Sequence, residues 1–277
     1  MAKQKRASLN RLERDFPEGL IVDSAWLAGH GYSTSLRSQY LTAGWLHQPA
    51  RRVYTRRQDK LSWQQVVVSL QTLLQHNLVV GGRTALELQG FAHYLEHKKS
   101  TVYLYGPSPP PTWLKDLQAD ARFLYRNDGK LFQQLRVSTL PHRLTADAEA
   151  APKPTDLLTV MPWGHWNWPL VLSSPERALL EMLDELPDHE TFHQADMLIE
   201  GLSTLSPTRM QKLLVDCRSV KVKRLFFFFA DRHQHAWLKR LDRKAIDLGS
   251  GRRMIAKGGV FDAKHLITVP KDFDGLR

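Results

Sequence analysis

Thr34, Ser35, Arg37, Ser38 and Gln39 crowd into six positions and form the set of side chains best suited to reading a nucleic acid. Arginine offers paired donors to the guanine O6/N7 edge, and glutamine pairs with adenine N6/N7. Serine and threonine reach bases or phosphates. Arg51, Arg52, Arg56 and Arg57 follow shortly after. Their permanent charge and forked donors suit phosphate contacts.

The remaining candidate sets are less specific. Lys221, Lys223, Arg224, Lys239, Arg240, Arg252 and Arg253, with Arg218, Arg243 and Lys244, make the carboxyl-terminal part basic. They offer a second polyanion surface, or simply the charged face of amphipathic helices. Gly249-Ser250-Gly251 before two arginines has the composition of a phosphate cradle. It lacks the strand–GxxxxGK[ST]–helix context, so a turn is the better reading. His233 and His235 next to Asp231 lack a matching Cys/His pair, which favours an exposed helix junction over a metal site. Glu176, Glu181, Asp184 and Glu185 lie close together, as a nuclease or acid–base site needs. Glu176 is better explained as an anion at a helix entrance. The run Trp163-Gly164-His165-Trp166-Asn167-Trp168 fits a base-stacking platform or a packed hairpin, with the hairpin favoured. No PD-(D/E)xK spacing or Ser/His/Asp set is present. The sequence therefore points to no catalytic residue, no metal and no cofactor.

The first set requires a particular frame. Ser8 can cap a first helix carrying Leu9, Leu12 and Phe16, stopped by Pro17 and Gly19. Asp23 or Ser24 caps a short second helix with Trp26 and Leu27 inward. Gly29 and Gly31 supply a turn. Ser33 or Thr34 caps a third helix running to about Ala43, with Gly44 closing it. Leu36, Tyr40 and Leu41 face its core. Trp45-Leu46 and Val53-Tyr54 then form a hairpin with Gln48 to Arg52 at its tip. This is the order of parts in a winged helix-turn-helix, which sets one helix in the major groove and a basic wing on the backbone.

The net charge of +11 is uneven: +6 over residues 1–60, −4 over 61–217 and +9 over 218–277. Two basic ends favour localised polyanion contacts over a general solubility charge. The longest apolar run, Leu225 to Ala230, is too short to span a bilayer, and the basic amino terminus lacks a signal-peptide core. No membrane partner is expected. A single cysteine, Cys217, excludes an intrachain disulfide and points to the cytoplasm.

Further along, Ser62 to Gln65 opens a capped helix with Val66, Leu70, Leu73 and Leu74 inward. Val79 to Gly82 reads as a break, and Thr84 to Gln89 as a helix. Strands are expected at 101–105, 122–125, 132–137, 157–161 and 169–172, with a loop or linker at 145–155. Helices follow from Ser174-Pro175, from Asp188 to Ile199, from Ser206-Pro207, and from Val220 to Leu241 with a break near Asp231. Short strands and turns close the chain over 245–269. The fold class is α+β. Residues 1–92 form the winged helix-turn-helix domain, and 93–277 a larger mixed α+β domain.

The segments Asp23-Ser24-Ala25-Trp26-Leu27, GGRTALELQG (81–90), SSPERA (173–178) and IDLGSG (246–251) resemble the AbiEi-type antitoxins of type IV toxin–antitoxin, or abortive-infection, systems. The resemblance extends over nearly the whole chain, and its most specific parts are GGRTALELQG and SSPERA. It implies a DNA-binding repressor whose reading helix is about Ser33 to Ala43 and whose wing is about Trp45 to Arg57. It implies binding to inverted repeats in the operon's own promoter. It also implies that the second domain counters a co-encoded nucleotidyltransferase-like toxin in phage defence, without an obligatory stable complex. The carboxyl-terminal cations are then a candidate second polyanion or toxin-neutralising surface, although no single neutralising residue carries over. The alternative is a nuclease or other nucleic-acid enzyme targeted by the winged helix. A third reading makes the winged helix a protein-contact module.

Overall fold

Most helices begin where a short polar side chain can accept a backbone N–H at the entrance. Ser33, Ser62, Ser174, Thr191, Ser206 and Ser219 all do this, and Ser62 with Gln65 completes a reciprocal capping box. The computed structural model describes residues 2–91, 101–138, 140, 144 and 156–273. Within them the chain is mixed α+β, a smaller amino-terminal domain followed by a larger one.

The first domain comprises α1 (Ala2–Asp15), β1 (Ile21–Asp23), α2 (Ser24–Gly29), α3 (Thr34–Thr42), β2 (His47–Ala50), β3 (Val53–Thr55) and α4 (Trp63–Gln71). Its antiparallel sheet has the order β1-β3-β2, with Asp23 opposite Val53. α1 begins at Ala2 and passes through Ser8 instead of starting there. Its opening residues are strong helix formers and need no cap at that point. β1 has only three residues, too few to show a period in the sequence.

The chain goes on through β4 (Val79–Val80), α5 (Gly82–Leu88), β5 (Thr101–Gly106), β6 (Arg122–Asn127), β7 (Leu158–Trp163) and β8 (Trp168–Ser173). It continues with α6 (Pro175–Asp184), α7 (Phe192–Glu200), α8 (Pro207–Asp216), α9 (Val220–His233), β9 (Val260–Asp262) and β10 (Ile267–Val269). Five strands form one mixed sheet in the order β6-β5-β4-β8-β7, while β9 and β10 pair separately. Side chains alternate across this sheet. Val80, Val102, Leu104, Leu170 and Leu172 join an apolar core that also holds Leu12 and Phe273. Val79, Tyr103, Tyr105 and Val171 form a second cluster.

Several expectations change. The break expected at Val79-Val80 is the central strand β4. It pairs with β5 and β8, so strands on both sides of position 92 share one sheet. Position 92 and the loop expected at 145–155 lie outside the described residues. No strand forms at 132–137, because two carboxylates take up its backbone donors. Asp216 accepts from the N–H groups of Gln133, Gln134 and Leu135, and Asp128 accepts from Val137. α7 is capped by Thr191, not Asp188. The break expected near Asp231 does occur, at Gln234, which is left-handed at φ 51°, between α9 and a 3-10 turn over Ala236–Arg240.

Candidate nucleic-acid interface

Asp23 caps α2, its Oδ1 accepting the Trp26 N–H at 2.8 Å. The turn to α3 places its positive φ on Gly31, at +85°, while Gly29 ends α2. Ser33 caps α3, Ala43 follows it, and Gly44 closes it at φ +74°. Tyr40 is buried, and Leu36 and Leu41 pack partly against the core. Trp26 is half-buried, stacked on the His30 ring at 3.7 Å.

Thr34, Ser35, Ser38 and Gln39 are exposed, as a groove-reading face requires. Thr42 joins them. Its spacing of four from Ser38 and eight from Thr34, readable in the sequence, puts it on the same helical stripe. Arg37 does not stand free beside them. Its Nη1 donates to the Ser24 carbonyl at 3.3 Å, Nη2 to Thr34 Oγ1 at 2.9 Å and Nε to the Ser33 carbonyl at 3.4 Å. It links the start of α2 to the start of α3.

The wing is tighter than expected. Gln48, Pro49 and Ala50 belong to β2, leaving Arg51 and Arg52 as its turn. Both are exposed, and Arg52 adopts φ 65°. The Arg52 carbonyl accepts the Ser24 N–H at 2.9 Å, fixing the wing tip against the entrance of α2. Arg56 points elsewhere. Its guanidinium donates to the carbonyls of Phe16 at 3.0 Å and Glu13 at 3.3 Å, neutralising the carboxyl end of α1. Arg57 is exposed and pairs with Asp59.

The carboxyl-terminal cations divide into two groups. Arg224 is buried and donates to the carbonyls of Leu248, Gly249, Gly251 and Leu266 at 2.7–3.1 Å. The Gly249-Ser250-Gly251 loop therefore turns carbonyls toward a cation, which is the opposite of a phosphate cradle. Lys221 Nζ donates to the carbonyls of Asp184 at 2.6 Å and Leu186 at 2.9 Å beyond α6, and Lys223 is buried. Lys239, Arg240, Arg252 and Arg253 are exposed, with the Arg252 guanidinium 4.5 Å from the Phe261 ring centroid. The structure thus leaves these four of the seven candidate cations open to solvent.

Of the acidic cluster, Glu176, Glu181 and Glu185 are buried, while Asp184 stays partly exposed. Glu181 accepts from Gly82 N–H at 3.0 Å, Ser173 Oγ at 3.0 Å and Arg177 Nε at 2.8 Å. Arg177 also pairs with Asp128 at 3.2 Å and lies over the Phe132 ring. Burial raises the Glu181 carboxyl, offset by Arg177 and the other donors. Glu185 takes Arg126 in a two-pronged pair at 2.6 and 2.7 Å. Glu176 accepts the Ser206 N–H at 2.7 Å and pairs with Arg209, so it anchors α8. Burial pushes Glu190 up to about 7, against the pull of Arg83 at 3.1 Å. GGRTALELQG and SSPERA therefore meet through Gly82, Ser173, Arg177 and Glu181.

The other motifs take their plainer forms. Residues 163–168 turn the β7–β8 hairpin, with Trp168 buried and Trp166 exposed at its tip. His233 pairs with Asp196 at 2.7 Å, and His235 meets the Ile199 carbonyl at 2.8 Å. No group of three or more His, Cys, Asp or Glu among the described residues is placed to hold a metal. Cys217 is buried, which pushes its thiol up to about 11. Among the described residues no helix is long and apolar enough to cross a membrane.

Two family models match consecutive parts of the chain. Residues 5–97 match the N-terminal domain of AbiEi antitoxin transcriptional regulators, and residues 99–270 match the AbiEi antitoxin transcriptional regulator of type IV toxin–antitoxin systems. A search among curated proteins finds no match. Among solved structures, the RV2827C protein from Mycobacterium tuberculosis is similar at 13% identity and TM-score 0.51, over 94% of this chain and 89% of that one. At that identity the likeness concerns the fold.

Proposed function

The chain belongs to the AbiEi antitoxins, transcriptional regulators of type IV toxin–antitoxin systems, and from that premise we propose that it represses its own operon by binding inverted repeats in the promoter. The observation that carries this reading is the exposed stripe Thr34, Ser35, Ser38, Gln39 and Thr42 on a capped helix, beside the exposed turn Arg51-Arg52. The stripe enters the major groove and the turn holds phosphates. Arg37 and Arg56 act at one remove: Arg37 sets the angle of α3, and Arg56 fixes the wing to α1.

The larger domain counters a co-encoded nucleotidyltransferase-like toxin in the cytoplasm, without enzymatic activity of its own. Lys239, Arg240, Arg252 and Arg253 are its candidate neutralising or polyanion surface, since Lys223 and Arg224 are buried and Lys221 is held by the carbonyls of Asp184 and Leu186. A promoter–reporter fusion, read with and without the chain, tests repression. Co-expression with the toxin tests rescue. Repression and rescue by the intact chain support the reading, and an unchanged reporter overturns its promoter half. Metal-dependent cutting of promoter DNA would favour the nuclease alternative.

A further inference from the structure

Beside the polar stripe of α3 lies a hollow of ≈ 590 Å³. Its polar wall consists of Ser38, Gln39 and Thr42. The apolar part of its lining comes from Leu9 of α1 with Ala43, Trp45 and the largely buried Tyr40. Trp45 is 44% exposed, a large apolar surface left open beside a helix read here as a DNA-contacting one. No acidic side chain lines the hollow, so nothing there repels a phosphate backbone.

In the major groove an A·T pair presents the adenine N6/N7 edge beside the thymine C5-methyl group. Gln39 suits the first, and only apolar surface rewards the second. Resting on the DNA-binding reading above, we propose that the Leu9–Tyr40–Trp45 wall is a thymine-methyl pocket that gives α3 a preference for A·T pairs next to Gln39. Duplex DNA is the occupant because the polar wall of the hollow continues the exposed stripe of α3.

The test uses the full chain and two duplexes of its own promoter, one made with thymine and one with uracil throughout. Fluorescence anisotropy should show about fourfold tighter binding to the thymine duplex for each methyl seated, the ratio expected for burying one such group. Trp45→Ala should bind both duplexes alike, and Leu9→Ala should narrow the difference. Equal wild-type affinity for the two duplexes would overturn the pocket while leaving DNA binding intact. Binding to neither would overturn the DNA-binding reading itself. A methyl preference that survives both substitutions, or a dimer of the free chain abolished by Trp45→Ala, would also overturn the pocket.

Discussion

Arg37 reaches out of its own helix to the backbone of Ser24, its Nη1 3.3 Å from that carbonyl oxygen. The Ser24 N–H in turn donates to the Arg52 carbonyl at 2.9 Å. The proposed reading helix α3, the helix before it and the β2–β3 turn thus converge on a single residue at the entrance of α2. An interface that must meet DNA at two places needs this fixed spacing, since small misplacements of a recognition element are costly.

Arg37→Ala should therefore weaken binding to promoter and random duplexes by similar factors. It should also lower folding stability by about 1 kcal/mol, as expected for lost hydrogen bonds from a half-exposed charge. Arg37→Lys should recover little, because an ammonium cannot span the three acceptors. Affinity titrations on both duplexes, with denaturant melts, check this. A loss confined to one base-pair position would make Arg37 a direct reader.

Arg51→Ala/Arg52→Ala should weaken all DNA binding and flatten its salt dependence. Each lost phosphate contact should reduce the log–log slope by roughly 0.9. Arg52 sits at φ 65°, so Arg51→Ala alone is the cleaner variant. A slope that does not move would take the wing out of the interface.

Gly81→Ala should destabilise the fold by about 1–3 kcal/mol through overpacking. A Cβ there would overlap the Glu181 carboxylate and the Tyr105 ring. Ser38→Ala at an exposed position should be near neutral in the same melt. Equal stability of Gly81→Ala and the parent would mean that the approach of Gly81 to Glu181 is not tight.

Glu190 sets a pH dependence of defined sign. Its folded carboxyl titrates at about 7, above its ordinary value, because burial outweighs the nearby Arg83. The stability contributed by protonated Glu190 is complete below the unfolded pKa and is lost as pH rises through about 7. Glu190→Gln should therefore gain on the parent between pH 5 and pH 8, by on the order of 2 kcal/mol. Thermal melts across that range test it, and a constant difference would contradict it.

The local elements were legible wherever chemistry is local. Ser33, Ser62, Ser174 and Ser206 announce their helices because a cap acts within three residues. The five-stranded sheet was less legible at its centre. Val79-Val80 is too short to show a strand period, and only its partners in β5 and β8 make it one. Phe132 to Val137 has strand composition, but Asp128 and Asp216, distant in sequence or unmarked, claim its donors. In the candidate site, the types and positions of Ser38, Gln39 and Arg51 indicate exposure correctly. The sequence cannot show that Arg37, Arg56 and Arg224 spend their charge on carbonyl oxygens, because those partners carry no residue signature.

A competition titration of the intact chain on its promoter duplex and on a scrambled duplex of the same composition, at fixed salt, tests whether α3 reads the operator. It is repeated with Ser38→Ala/Gln39→Ala. Operator reading by α3 predicts tighter binding to the promoter, loss of most of that preference in the double variant, and scrambled-duplex affinity that stays nearly constant. Equal wild-type affinity for the two duplexes, or a preference untouched by the double substitution, would contradict the claim that α3 reads the operator.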